Sequence, residues 1–200
     1  MLNAELQSTV SPEDNLMLEK MRLKASEAVL VIVDVQERLA SVMERREQVE
    51  AAIGVLIRTA RLHDIPVIVT QQYTKGLGPT VEALSSELEG VDPVEKIYFS
   101  CCGEEPFTRA LDALGRRKVI LTGMEAHICV LQTALDLIDA GYTIHLPWDA
   151  VCSRIDANRD VAMRSLERAG AIITSSETAA FQILEKAGTP EFKEISSLLK

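Results

Sequence analysis

The sequence predicts a single α/β domain in which helices cover both faces of a parallel sheet. Short apolar runs rich in valine and isoleucine alternate along the chain with longer segments of helical spacing. The chain has 200 residues, 47% of them hydrophobic, so it can bury a sizeable core yet needs no second domain. We find no internal repeat and no low-complexity segment.

The apolar runs predict six strands, because each is short and bounded by turn residues or by charged residues. These predicted strands cover residues 28–35, 66–70, 96–99, 118–122, 143–146 and 171–174. The intervening amphipathic segments predict helices over residues 49–63, 105–114, 126–140 and 157–169. Glycine follows three of these segments, at Gly115, Gly141 and Gly170, where a left-handed C-terminal cap is expected.

Two further helices are predicted at the ends of the chain. Ser11 can cap a helix that begins at Pro12, and Thr189 and Pro190 repeat the signal near the C-terminus. Acidic residues follow both prolines and favour the positive end of the helix dipole. We therefore divide the chain into an N-terminal helical extension (1–25), a core domain (26–187) and a C-terminal helix (188–200).

The charge of the chain excludes several classes of partner. The net charge is −9 and the pI about 4.9, which disfavours nucleic acid and anionic membranes and leaves small molecules and proteins. Residues 1–24 lack the pattern of a signal or transit peptide, and no later run is long enough to span a bilayer. The four cysteines, at 101, 102, 129 and 152, have no CxxC spacing, so we expect thiols in a reducing, cytoplasmic setting.

Asp34 is the first candidate functional residue. It ends an otherwise apolar strand, at the carboxyl edge of the predicted sheet, where ligands of open α/β sheets bind. The alternative is that Asp34 only caps the following helix, for which aspartate is a favoured residue.

Cys129 is the second candidate, in the segment TGMEAHICV at 122–130, where a strand ends and a helix begins. A thiol in the first turn of a helix faces unpaired N–H groups, which lower its pKa and can receive an oxyanion. The alternative is a buried cysteine that acts as a small inert hydrophobic residue.

Lys96 is the third candidate, since it leads into the short third run. A lysine at such a place is usually a solvated strand end. However, hydrolysis by a thiol requires a group that takes its proton, a cation that holds the charged pair and a donor pocket. Together with Asp34 and Cys129, Lys96 would supply this set.

These residues also carry a resemblance to the isochorismatase-like cysteine hydrolase superfamily, which includes nicotinamidases and N-carbamoylsarcosine amidohydrolase. The resemblance extends over residues 28–181 and lies in four segments: VIVDVQ at 31–36, EK at 95–96, TGMEAHICV at 122–130, and DA at 149–150 with SR at 153–154. It implies a Rossmann-like three-layer sandwich with strand order 3-2-1-4-5-6.

The resemblance also implies a role for each candidate. Cys129 would attack a carbonyl or imidate-like carbon, Asp34 would accept and return the proton, and Lys96 would hold the charged arrangement. Family structures have a non-proline cis peptide just before the nucleophile, and the matching bond here is Met124–Glu125. The oxyanion hole would consist of the backbone N–H groups of Glu125 and Cys129.

The chain departs from nicotinamidases at the segment where they bind a divalent metal. It reads QQYTKG at 71–76, and no histidine lies between His63 and His127. We therefore expect no catalytic metal and no other cofactor, as in the metal-independent isochorismatase-domain subgroup that this segment resembles. Nicotinamide is then not the expected substrate.

The presence of Cys129 favours acyl transfer at an amide, ureido or nitrile-related carbon, through a thioester acyl-enzyme. True isochorismatases lack the cysteine and cleave a vinyl ether, which stays an alternative. A non-catalytic binding or scaffold protein with the same fold is a second alternative. Family members commonly assemble, so a homo-oligomer is expected.

The predicted wall of the substrate pocket consists of Gln36, Gln72, Tyr73 and Phe99. His127 is also assigned to substrate binding, with a Cys-His dyad as the less favoured role. Cys101 and Cys102 are predicted to be non-catalytic, with oxidant sensing as an alternative, and the redox role of Cys152 is left open.

Overall fold

A parallel sheet of seven strands forms the centre of the computed structural model, which describes residues 11–199. Its strands are β1 Ala28–Val33, β2 Val67–Gln72, β3 Val94–Lys96, β4 Lys118–Met124, β5 Thr143–Pro147, β6 Val151–Cys152 and β7 Ile172–Thr174. The order is β3-β2-β1-β4-β5-β7, with β6 paired to the end of β4. The expected order 3-2-1-4-5-6 is therefore confirmed, with the added short strand making the last one β7.

Ten α-helices surround the sheet within residues 11–199. They are α1 Pro12–Met21, α2 Glu37–Ala40, α3 Arg46–Leu62, α4 Thr74–Leu77, α5 Glu82–Ser85, α6 Glu105–Ala113, α7 Leu131–Asp139, α8 Asp156–Ala169, α9 Ser176–Leu184 and α10 Pro190–Leu198. One turn of π-helix, Ala126–Val130, precedes α7. The predicted part of the N-terminal extension over residues 1–10 lies outside the described residues.

Alternate residues of β1 belong to two different hydrophobic clusters, one on each face of the sheet. Because both faces are buried, the sequence of this strand is apolar throughout. Leu30 and Ile32 pack with α3 and α9 on one face, while Val29, Val31 and Val33 pack with α6, α7 and α8 on the other. Every residue of β1 is buried. Such a sheet, covered on both faces, produces the predicted three layers.

The structure corrects the position of the third strand. The prediction placed it at residues 96–99, whereas β3 ends at Lys96, and residues 97–99 are exposed. The apolar run misled the prediction because its side chains face outward rather than into the core.

α9 and β6 were not predicted, and neither were the short helices α2, α4 and α5. The left-handed φ angles at Gly115, Gly141 and Gly170 confirm the predicted caps.

Lys118, the first residue of β4, holds α1 against the amino edge of the sheet. Its Nζ donates to the carbonyls of Glu19 and Arg22, both at 2.8 Å, and lies 2.7 Å from a carboxylate oxygen of Glu27. A cation is favourable there because carbonyls at the C-terminal end of a helix lack partners within the helix.

His145 of β5 lies in the same region and is fully buried, and no residue from 11 to 199 forms a hydrogen bond with either ring nitrogen. Burial, together with the nearby positive charge of Lys118, lowers the pKa of His145 to about 4. The unfolded chain therefore binds one more proton than the folded chain between about pH 6.5 and pH 4, so stability falls as the pH falls through this window.

We expect this histidine to cost about 3 kcal/mol of unfolding free energy between pH 6.5 and pH 4. Replacing His145 by leucine removes the titrating group, so the free energy of unfolding should depend less on pH across the window. Urea unfolding at several pH values measures this pH dependence, and His63→Leu is the control variant that loses a different histidine. An unchanged pH slope in the His145 variant would contradict the argument.

Candidate active site

The site forms where β1 and β4 end side by side, at the point where the winding of the sheet reverses. Asp34 follows β1 with a left-handed φ of 52°, an uncommon conformation for a residue other than glycine, and its side chain is fully buried. Thr70 Oγ1 donates to Asp34 Oδ1 at 2.7 Å, and Lys96 Nζ lies 2.7 Å from Asp34 Oδ2. The structure therefore places Asp34 in an ion pair rather than at a helix cap.

Gly123 permits the close approach of the two strand ends. A Cβ built on Gly123 would lie 2.0 Å from the carbonyl oxygen of Val33, and its φ of 117° is outside the range that side chains favour. This glycine lets the turn that leads to Cys129 pass directly beside the residue that precedes Asp34.

The ammonium group of Lys96 is enclosed by four oxygen atoms. In addition to Asp34, it contacts Gln72 Oε1 at 2.6 Å and the carbonyl oxygens of Tyr98 and Phe99 at 3.1 Å each. An ammonium group has three protons, so these neighbours leave none for a substrate. Lys96 can therefore act on the chemistry only through its charge and through Asp34.

The charges of this buried pair stabilise each other. Burial raises the pKa of Asp34, while the adjacent Lys96 ammonium and the Thr70 hydroxyl oppose that rise. Burial lowers the pKa of Lys96, but the negative charge of Asp34 and its contact with the ammonium group raise it, so the net pKa is raised and Lys96 stays protonated.

Cys129 lies in the π-helical turn, is 6% exposed, and lines the same cavity as Asp34. Burial and the negative charge of Asp34 raise the pKa of Cys129 to about 12, although Lys96 opposes this. The prediction of a lowered thiol pKa is therefore wrong, because the sequence does not show how deeply the helix start is buried. With this raised pKa, Cys129 is a thiol at neutral pH.

The peptide bond Met124–Glu125 is cis, as the resemblance implied. Within residues 11–199, the structure records no hydrogen-bond acceptor for the backbone N–H of Glu125, whereas the carbonyl of Glu125 accepts from the N–H groups of Ile128 and Val130. The Glu125 N–H is therefore available to an incoming oxygen, next to the turn that carries Cys129.

A cavity of about 210 Å³ opens beside Cys129. Its lining residues are Asp34, Leu39, Gln72, Leu77, Phe99, Glu125, Ile128, Cys129 and Arg154. Asp34, Cys129 and Glu125 were predicted site residues, and Gln72 and Phe99 were predicted wall residues. Leu39, Leu77 and Arg154 were not predicted at the wall, because α2, α4 and the loop after β6 bring them there. Two larger cavities, of about 410 and 470 Å³, lie away from Cys129.

Three predicted wall residues do not line this cavity. Gln36 is fully buried and uses its amide on backbone groups, and Tyr73 is exposed. His127 lines neighbouring cavities instead, with Nδ1 2.9 Å from Ser153 Oγ and Nε2 3.5 Å from Asn158 Nδ2. The recorded partners of the His127 ring are therefore Ser153 and Asn158, beside the cavity, rather than Cys129.

Arg154 brings a second cation to the cavity. Its Nε lies 3.1 Å from Glu125 Oε1, and its backbone N–H donates to Glu125 Oε2 at 2.9 Å. The Glu125 side chain is 5% exposed and that of Arg154 57% exposed. Among the described residues, no acceptor is recorded for the two terminal nitrogens of the guanidinium, so these donors are available to a ligand.

The remaining cysteines differ in position. All four thiols are free, and Cys101 and Cys152 are buried. Cys101 Sγ lies 3.8 Å from Thr70 Oγ1, behind Asp34, and burial raises its pKa to about 12. Within residues 11–199, no three His, Cys, Asp or Glu side chains are grouped so that they could hold a metal ion.

Comparison with known proteins gives consistent matches. Residues 28–178 match the isochorismatase domain family. A secreted isochorismatase effector of Phytophthora sojae is 40% identical over 90% of this chain and 87% of its own length. Human isochorismatase domain-containing protein 2 is 36% identical over 90% of this chain and 86% of its own.

A solved structure also matches along most of its length. The structure titled MAR1 ribonuclease, from Caenorhabditis elegans, superposes with a TM-score of 0.83 and 38% identity, covering 89% of this chain and 92% of its own. In the described part of the chain, no helix combines the length and apolar character needed to cross a membrane.

Proposed function

This chain belongs to the isochorismatase family of hydrolases, and we propose that it is a cysteine hydrolase that cleaves a small amide-like substrate through a thioester acyl-enzyme. The observation that carries the proposal is that Cys129 and Asp34 line one open cavity, while the ammonium group of Lys96 lies 2.7 Å from the Asp34 carboxylate behind it. The binding-protein alternative predicts a filled cavity or a carboxylate turned away from the thiol; the open cavity that Cys129 and Asp34 share, and the effect of Asp34 on the pKa of Cys129, support the enzyme instead.

The proposed reaction begins with Cys129 as a thiol and Asp34 as a carboxylate. Sγ attacks the substrate carbonyl carbon while the thiol proton moves to Asp34, and the N–H groups of Glu125 and Cys129 receive the oxyanion. Collapse of the tetrahedral intermediate breaks the C–N bond, and Asp34 returns the proton to the leaving nitrogen. A thioester then links the acyl group to Cys129.

Water completes the cycle by the same route. Asp34 takes a proton from a water molecule as its oxygen attacks the thioester carbonyl, and the departing sulfur regains that proton. Lys96 stabilises the carboxylate form of Asp34 throughout. A vinyl ether would not need the thiol, so the position of Cys129 in the cavity favours acyl transfer.

The cavity indicates what kind of substrate fits. Its volume of about 210 Å³ is below the roughly 300–1,000 Å³ of sites for drug-sized ligands. Leu39, Leu77, Phe99 and Ile128 make much of the wall apolar, while Asp34 and Gln72 already have partners in the protein. We therefore propose a short apolar acyl group with one polar or anionic end near Arg154.

We propose small molecules rather than RNA as substrates, although a relative carries the name ribonuclease. The net charge of −9 opposes the approach of a polyanion, and the cavity is small.

The four free thiols support a reducing, cytoplasmic location, although one relative is named as secreted. The exposed run Ile97 to Phe99 supports a homo-oligomer.

A substrate screen with mass analysis tests this function. Purified protein is incubated with short-chain amides, ureides, nitriles and aryl esters, each with and without a carboxylate, and with single-stranded RNA in parallel. The expected result is release of product and, after acid quench, an acyl adduct on the peptide that contains Cys129. Cleavage of RNA without any adduct would overturn the proposal.

A further inference from the structure

Gln36 is a buried amide that joins the end of β1 to the end of β2. Its Oε1 accepts from the N–H of Gln72 at 2.7 Å, and its Nε2 donates to the carbonyls of Gln72 at 3.1 Å and Gly78 at 2.6 Å. Its side chain is fully buried, and the amide is satisfied by backbone groups. Gln36 thus fixes both the strand end that carries Gln72 and the loop that carries Leu77.

Gln72 continues this connection to Lys96. Its Oε1 accepts from Lys96 Nζ at 2.6 Å, while its Nε2 donates to the carbonyl of Ile97 at 2.7 Å. Ile97 belongs to the exposed segment whose next two carbonyls also accept from Lys96. One amide therefore holds the ammonium group directly and steadies the segment that supplies its other acceptors.

We propose that Gln36 and Gln72 are positioning residues, which set the place of the Lys96 ammonium against Asp34 and so the proton transfer from Cys129. This inference rests on the proposed function. A lysine side chain has several rotatable bonds, and β3, which carries Lys96, is only three residues long and lies at the edge of the sheet. The two amides supply the rigidity that this short strand lacks.

Gln71 provides a matched control in the adjacent position. Successive side chains of a strand point to opposite faces, so Gln71 points away from Lys96. Its Nε2 donates to Thr80 Oγ1 at 2.9 Å, and it lines the separate cavity of about 410 Å³. A carboxylate at residue 71 adds the same charge to the same strand without contact with the Lys96 ammonium.

The test compares Gln72→Glu with Gln71→Glu by the rate at which iodoacetamide alkylates Cys129 as a function of pH, read by peptide mass analysis. A second carboxylate beside Lys96 competes with Asp34 for the ammonium and adds negative charge near the thiol. The expected result is a shift of the profile of Gln72→Glu to higher pH by about one unit, with Gln71→Glu close to wild type.

Gln36→Met tests the other amide, since it keeps a similar volume but removes the three hydrogen bonds. In the folded variant, checked by circular dichroism, alkylation of Cys129 should slow by about tenfold or more at each pH, with no added charge to shift the profile. If this variant does not fold, the comparison of the two glutamate variants decides alone.

The outcomes separate this inference from the proposed function. If no substrate of the screen leaves an acyl adduct on Cys129 of the wild-type protein, the proposed function fails. If the adduct forms but the two glutamate variants have the same alkylation profile, or the folded Gln36→Met variant reacts as wild type, the positioning role is overturned while the proposed function stands.

Discussion

Replacement of Cys129 by alanine is expected to lower turnover of any amide-like or ester substrate at least about 10⁴-fold, because no acyl-enzyme can then form. Cys129→Ser should be nearly as inactive, since a serine hydroxyl is a much weaker acid than a thiol and Asp34 is a weak base for it. The measurements are steady-state hydrolysis of the best substrate from the screen and intact-mass detection of the adduct.

Cys102→Ala is the matched control for this experiment. Cys102 is partly buried, and burial raises its pKa to about 11, but it does not line the cavity. Its removal should leave both turnover and adduct formation at wild-type levels. Retained hydrolysis in Cys129→Ala, at more than about one hundredth of the wild-type rate, would show that another group performs the chemistry.

The pH dependence of turnover follows from the protonation states at rest. Because the pKa of Cys129 is raised to about 12, the reaction does not depend on a preformed thiolate at neutral pH. The proposed reaction depends on an ionised Asp34 that can accept the thiol proton, so we expect turnover to be lost at acid pH as Asp34 becomes protonated, which a pH–rate profile of the best substrate measures.

The sequence predicted those parts of the site that depend on local structure. Asp34 and Cys129 each follow an apolar strand, and adjacent parallel strands bring their carboxyl ends together, so the grouping could be inferred before any coordinates. Lys96 needed the resemblance, because its position at a strand end is otherwise typical of a solvated side chain.

The parts that the sequence did not predict depend on tertiary contacts. Gln36 was expected at the pocket wall, but its neighbours are the backbone of Gln72 and Gly78, residues far from it in sequence. The raised pKa of Cys129 likewise results from burial, and the sequence does not show which elements pack over Cys129. Arg154 enters the cavity from the loop after β6, a two-residue strand too short to produce a pattern.

Replacing both members of the buried ion pair is expected to restore most of the stability that either single replacement loses, but not to restore activity. Asp34→Asn leaves the Lys96 ammonium buried without its counter-ion, and Lys96→Met leaves the Asp34 carboxylate alone. Each single variant should lose about 3–5 kcal/mol of unfolding free energy. The double variant removes both charges and should recover to within about 2 kcal/mol of wild type, while all three variants lose turnover.

Two further measurements make this cycle decisive. In Lys96→Met the pKa of the buried Asp34 lies further above its unfolded value, so the folded state holds more protons and stability should fall as the pH rises above about 4. Glu19→Gln, which breaks the exposed pairs of Glu19 with Arg22 and Lys24, should cost less than about 1 kcal/mol. Urea unfolding gives these free energies. Additive losses in the double variant would mean that Asp34 and Lys96 do not stabilise each other, and the proposed role of Lys96 would then fail.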